Sequence, residues 1–173
     1  MEGLRVAPPQ VIAATGWTTD ELSAALGGAA PEGPFHLVTL LIGVNNQYRG
    51  RSLDEYRIEF QALVGRAIAL ATGDPARVVV LSIPDWGVTP FAEGRDRARI
   101  AREIDAFNGA NREAAEAAGA SHVDVTAASR ELSTRDGMLT ADGLHPSGRQ
   151  YRHWAQLVLP VARRALSGRL SGR

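Results

Sequence analysis

The chain has 173 residues, 45% hydrophobic and 22% charged, enough for one α/β domain with a real core and too few for two ordinary ones. Lys+Arg and Asp+Glu both total 19, so no surplus positive field exists to hold a nucleic acid or an anionic membrane. Cysteine and lysine are both absent, which excludes disulfides, thiolate metal sites, a cysteine nucleophile, a Schiff-base lysine and the lysine of a GKS/GKT phosphate loop.

In chain order, Gln10 to Ala14 reads as a short apolar strand, and Thr18 with Glu21 offers a capping box for a helix ending near Leu26. A Gly/Ala/Pro-rich connector, Gly27 to Pro34, leads to Phe35–Gly43, whose nearly continuous apolar run predicts a parallel strand buried on both faces. It ends in a loop from Gly43 to Arg51. Ser52 with Glu55 forms a second capping box, and Leu53, Tyr56, Phe60, Leu63, Val64, Ala67 and Ala71 recur with helical spacing until Gly73 and Pro75. Arg77–Pro84 repeats the buried-strand pattern and opens the loop Asp85 to Gly94. Ile100, Ile104, Phe107, Asn111 and Ala114 then mark one face of a long helix closed by Gly119.

His122 to Val125 reads as the last strand, followed by a long loop to Pro146. A final helix presents Tyr151, Trp154, Ala155, Val158 and Ala162 on one face, with a kink expected at Pro160. The closing SGRLSGR reads as a frayed tail, so the expected organisation is one domain over 1–166 and a tail over 167–173. Strands alternating with helices predict a parallel sheet covered on both faces, with any ligand site in loops beyond the strands' carboxyl ends. The longest apolar run is only a strand's worth, so no membrane span is expected. The opening MEGLRVAPPQ lacks the apolar region of a secretory signal, which makes a cytoplasmic location the expectation.

Three segments at carboxyl-end loops could carry chemistry. Asp142-Gly143-Leu144-His145-Pro146 places a carboxylate three residues before a histidine, a spacing at which one turn can aim both groups together. Taken alone it fits an Asx turn at the start of a helix as well. Asn45, in Gly43-Val44-Asn45-Asn46, sits where a side-chain amide can donate over the sheet edge, although Asn is also common in turns that follow strands. Gly16 ends the first predicted strand with an N–H that a ligand can approach without a side chain in the way; an ordinary strand-to-helix turn explains it equally.

These segments, in this order on one sheet, resemble the SGNH/GDSL hydrolase family. Its four blocks supply a serine in GDS, a glycine, an asparagine in G-x-N-D, and the aspartate and histidine of D-x-x-H. Gly16 resembles the glycine block, Asn45 with Asn46 the third, and Asp142 with His145 the last; Ser82 to Phe91 (SIPDWGVTPF) is similar to a bacterial branch. The resemblance covers Val6 to Leu166. It implies a flavodoxin-like three-layer αβα fold and a serine esterase or lipase-like activity on carboxylic esters. In that mechanism His145 is the base, Asp142 its orienter, and Gly16 and Asn45 are the oxyanion donors. Trp17, Asp85 and Trp86 would border a small-molecule ester, and no metal or organic cofactor is needed.

The departure from the family is large: no Gly-Asp-Ser occurs in the sequence. In the family that block lies on the first strand, ahead of the glycine block, so the first family strand is expected to be missing here and the chain to be inactive for want of its nucleophile. Ser23, Ser52, Ser129, Ser133 and Ser147 read as helix or turn residues and Ser82 as packed in a strand, while capping explains Thr18. His36, His122 and His153 are spaced wrongly for a metal site with His145. The alternative reading is a non-catalytic α/β remnant or small-molecule- or partner-binding module. With the first strand gone, Val11–Ala14 is expected to pair directly with the Phe35 strand, and self-association through an exposed strand edge is the partner expectation.

Overall fold

The computed structural model describes residues 7–29, 31 and 33–167. Val38–Leu40 (β1), Val78–Leu81 (β2) and Ser121–Val123 (β3) form a parallel sheet in the order β1-β2-β3, with Val38 opposite Val78 and Val80 opposite His122. The three valines of β2 hold its centre because a strand sends successive side chains to opposite faces. Val78 and Val80 enter the larger core, Val79 enters a second cluster with Val123, Val125 and Trp154, and all three valines are fully buried.

Among the described residues six α-helices surround the sheet: Thr19–Ala29 (α1), Val44–Tyr48 (α2), Leu53–Leu70 (α3), Arg97–Ala117 (α4), Thr126–Leu132 (α5) and Gly148–Ser167 (α6). Tyr56, Phe60, Leu63 and Val64 of α3 meet Ile104 and Phe107 of α4 in the larger core, with the Tyr56 and Phe107 rings 4.6 Å apart. Trp154, Val158 and Val161 of α6 cover the other face. The layers are therefore helix, sheet and helix, as the alternation of strands and helices predicts. Both expected capping boxes contribute. Thr18 N–H donates to Glu21 Oε2 at 2.8 Å, and Ser52 Oγ accepts from Glu55 N–H at 3.4 Å.

Several expectations fail for identifiable reasons. Gln10–Ala14 forms no strand and does not pair with β1, and Val11 stands 74% exposed. The end of this segment is pinned elsewhere: the Asn45 amide donates to Trp17 C=O at 2.9 Å and Arg49 to Gly16 C=O at 2.7 Å, while Ile12 and Trp17 pack on the core. The run Phe35–Gly43 is not buried on both faces. Its strand is three residues long, with Thr39 exposed and Leu41 37% exposed, because β1 is an edge. The loop Gly43–Arg51 contains α2, and the loop expected before Pro146 begins with α5, both too short for a helical period to show in the sequence. Ser167 is the last residue of α6, and the rest of the expected tail, 168–173, lies outside the described residues.

Asn108 of α4 ties a helix to the strand end that carries the site. Its Oδ1 accepts from Ile83 N–H at 2.7 Å, and its Nδ2 donates to Ile83 C=O at 3.0 Å and Thr126 Oγ1 at 2.9 Å, which completes a ladder beyond β2 by side chain. Asn108→Ala strands the buried Ile83 N–H, while Thr126 Oγ1 still donates to Ile83 C=O at 2.8 Å, and we expect a loss of about 1–3 kcal/mol in urea unfolding. A loss below about 1 kcal/mol would show that water replaces the amide.

Candidate active site

The turn Thr140–Pro146 is built around one carboxylate. Asp142 Oδ1 accepts from Thr140 Oγ1 at 2.6 Å, Leu144 N–H at 2.9 Å and His145 N–H at 3.0 Å, while Oδ2 lies 2.6 Å from His145 Nδ1. Both readings of this segment thus coexist: one oxygen makes the Asx turn and the other orients the imidazole. Gly143 holds φ +67°, the left-handed bend that brings the two ends of the turn together, and Thr140 N–H closes it on His145 C=O at 2.8 Å.

The Thr140 hydroxyl, the His145 ring and the two backbone amides favour the ionised form of Asp142 and hold its carboxyl well below the usual carboxylate range. A depressed carboxyl contributes stability that is present above its unfolded pKa and lost only as pH falls through the folded value. Asp142 should therefore remain ionised at about pH 3, where an ordinary Asp is mostly protonated. A carboxyl-carbon NMR titration checks this, and protonation near pH 4 would dissolve the proposed hold on His145.

His145, Gly16 and Asn45 border one groove of about 570 Å³, together with Trp17, Asp85 and Trp86. The Gly16 N–H donates to no group among the described residues, and Gly16 has φ +88°. The Asn45 amide spends one N–H on Trp17 C=O and retains another. The next residue, Asn46, is fully buried and grips the start of α1: its Oδ1 accepts from Thr19 N–H at 3.1 Å and its Nδ2 donates to Thr19 Oγ1 at 2.6 Å. That grip sets where the glycine and asparagine loops meet.

Trp86 is 7% exposed and its indole N–H donates to Gln47 Oε1 at 2.8 Å, so it forms a fixed wall. Asp85 is 2% exposed, and its carboxylate is engaged away from any substrate: Oδ1 accepts from Gly87 N–H and Oδ2 from Arg130 Nε, both at 2.8 Å. Its part is to shape the wall. Arg49 and Arg51 pair with Glu21 at 3.4 Å and Asp20 at 3.0 Å. Sequence reasoning passed over Gln47 and Arg95. Arg95 stacks 5.2–5.5 Å from the ring centroids of Tyr48, Trp86 and Phe91, and no spacing signal announces either contact.

Ser82 is 1% exposed, with its Oγ accepting from Val125 N–H at 2.8 Å and Thr126 Oγ1 at 2.7 Å while donating to Asp124 at 3.1 Å. Of the hydroxyls bordering the groove, Thr89 is bonded to Trp86 C=O, Ser133 to Gln150 and Tyr48 to Arg95, whereas Thr15 and Tyr151 make no hydrogen bond among the described residues. No three His, Asp or Glu side chains cluster to hold a metal ion, and no helix is long and apolar enough to cross a membrane, among the described residues.

A family model described as GDSL-like Lipase/Acylhydrolase matches residues 3–153. Similar folds occur in TesA (22% identity, TM-score 0.63, covering 86% of this chain and 74% of that one) and in Axe2, an acetylxylan esterase from Geobacillus stearothermophilus (24%, 0.63, 85% and 68%). A third occurs in the lipase/acylhydrolase from Enterococcus faecalis (21%, 0.61, 91% and 74%). At these identities the structures speak to fold alone. No curated protein sequence matches the chain.

Proposed function

The chain belongs to the GDSL-like lipase/acylhydrolase family, and on that premise we propose that it carries the acid–base and oxyanion parts of a serine-type carboxylic ester hydrolase and lacks the attacking serine. The carrying observation is the 2.6 Å contact between His145 Nδ1 and Asp142 Oδ2, in a groove shared with Gly16 and Asn45. With Nδ1–H held by the carboxylate, Nε2 is the free basic nitrogen. It takes the proton of an attacking hydroxyl and returns it to the departing alcohol. The Gly16 N–H and the second N–H of Asn45 receive the negative charge that builds on the carbonyl oxygen. Trp17 and Trp86 flank the ester, and no cofactor enters this chemistry.

The second reading, a binding module that does no chemistry, is favoured by one observation: Ser82 is locked in the core, and among the described residues Thr15 is the only unengaged aliphatic hydroxyl bordering the groove. Acetate, the simplest carboxylate product, separates the two. On the hydrolase reading, acetate shifts the Gly16 amide, the Asn45 side-chain amide and the His145 ring resonances along one saturation curve, and Asn45→Ala weakens it at least about tenfold. Independent curves, or shifts confined to surface arginines, would remove the oxyanion assignment.

A further inference from the structure

Three aromatic rings at the groove's edge already hold a cation. The rings of Tyr48, Trp86 and Phe91 lie 5.3–6.3 Å apart and tilt 42–70° against one another, so they form a cup rather than a stack. The guanidinium carbon of Arg95 sits 5.2–5.5 Å from all three ring centroids, within the range of cation–π attraction. The cup is tied to both halves of the candidate site. Tyr48 follows Asn45 by three residues in α2, and Phe91 N–H donates to Gly143 C=O at 3.2 Å, in the turn that carries His145.

Ring contacts leave the guanidinium's hydrogen-bonding capacity unspent. Its one hydrogen bond among the described residues is a long one, from Nη2 to the Tyr48 hydroxyl at 3.4 Å. Arg95 also forms no ion pair among the described residues, although acids stand near it in the chain: Asp96 accepts from Arg99 N–H at 2.9 Å, and Glu103 pairs with Arg99 at 2.6 Å. The groove itself offers no counterion either. Its one bordering carboxylate, Asp85, is committed to Arg130 at 2.8 Å, and no arginine borders it, so Arg95 at the rim adds a single uncompensated positive charge. A guanidinium held in place with its planar fork free is suited to bidentate capture of an anion.

We propose that Arg95 is a specificity-determining residue that receives a carboxylate at the far end of the acyl group, so that the esters this groove takes are half-esters of small dicarboxylic acids; the assignment to the acyl group rests on the reading of Gly16 and Asn45 as oxyanion donors and His145 as the base. His145 is exposed, and an alcohol leaving from its Nε2 passes to solvent. The acyl group stays along the wall that Trp86 forms and reaches the cup. One positive charge matches one carboxylate. A phosphate, close to doubly charged at neutral pH, calls for a second cation. A substrate ammonium is excluded, because its place among the rings is taken.

Product carboxylates test this without turnover, with NMR shifts of the Gly16 amide, the Asn45 side-chain amide and the Trp86 indole N–H as the readout. The tightest of succinate, glutarate and adipate should bind at least about tenfold tighter than the monocarboxylate of the same chain length, and this ratio should shrink as salt is raised. Arg95→Gln should bring the ratio close to one, while Arg95→Lys, which keeps the charge without the planar fork, should keep only part of it. Equal weakening of di- and monocarboxylates in Arg95→Gln would show that the side chain only braces the rings, and overturns the proposal. Binding of 3-phosphonopropionate ten times tighter than succinate overturns the match to a single negative charge. Monocarboxylate shifts at Gly16 and Asn45 with no preference for any dicarboxylate overturn the anion seat and leave the ester site standing. An Arg95-dependent preference without shifts at Gly16 and Asn45 does the reverse.

Discussion

The purified chain is expected to hydrolyse p-nitrophenyl acetate no faster than its His145→Ala variant. An imidazole raises an ester's hydrolysis greatly only by activating a positioned hydroxyl, and removal of the serine from a serine hydrolase costs on the order of 10⁶ in kcat. What is left comes from oxyanion donors and binding, which His145 does not supply. A fluorophosphonate, which labels activated serines, should likewise leave the chain unmodified. The structure supports both expectations through Ser82, whose oxygen is enclosed by Val125, Thr126 and Asp124. A His145-dependent rate well above background would mean an unrecognised nucleophile. Thr15→Val and Tyr151→Phe are then the decisive variants, because Thr15 and Tyr151 carry the groove hydroxyls that make no hydrogen bond among the described residues.

Gly43→Ala should lower the unfolding free energy by about 2–6 kcal/mol, the sum of two penalties of about 1–3 kcal/mol each, backbone strain and overpacking. Gly43 sits at φ +122°, which L-residues rarely adopt, and an added Cβ would lie 2.7 Å from Cζ of Tyr56. Tyr56 cannot yield: it is fully buried, and its hydroxyl is bonded to Asn111 at 2.5 Å and to Ile42 C=O at 3.1 Å. The same shift displaces Asn45, two residues on, so the acetate response of the Asn45 amide should fall with stability. Urea unfolding measures the first effect, and a loss within about 1 kcal/mol would show that the loop relaxes around the methyl group.

Much of this architecture was legible because it rests on local rules. The apolar run Val78–Val80 announced a strand buried on both faces, the capping residues Thr18 and Ser52 announced helix starts, and the periodic apolar stripes of α3 and α4 announced their packed faces. The Asp142–His145 spacing announced a turn able to aim two groups together, since such a turn is closed by residues adjacent in sequence. Edges were not legible. Phe35–Gly43 and Gln10–Ala14 have the composition of buried strands, but a strand is completed by its neighbours, and composition records what a segment tolerates rather than which partner is present.

The sequence by itself therefore determined the three-layer plan, the bounds of the four longer helices to within a few residues and a shortlist of candidate side chains, while α2 and α5 left no readable period. Tertiary structure alone decided that Asp85 is committed to Arg130, that Gln47 holds Trp86, that Ser82 is sealed in the core, and that the outer edge of β1 pairs with no strand among the described residues. Each of these joins residues about 39 or more positions apart, or concerns a partner that is missing, and neither leaves a periodic trace in the chain.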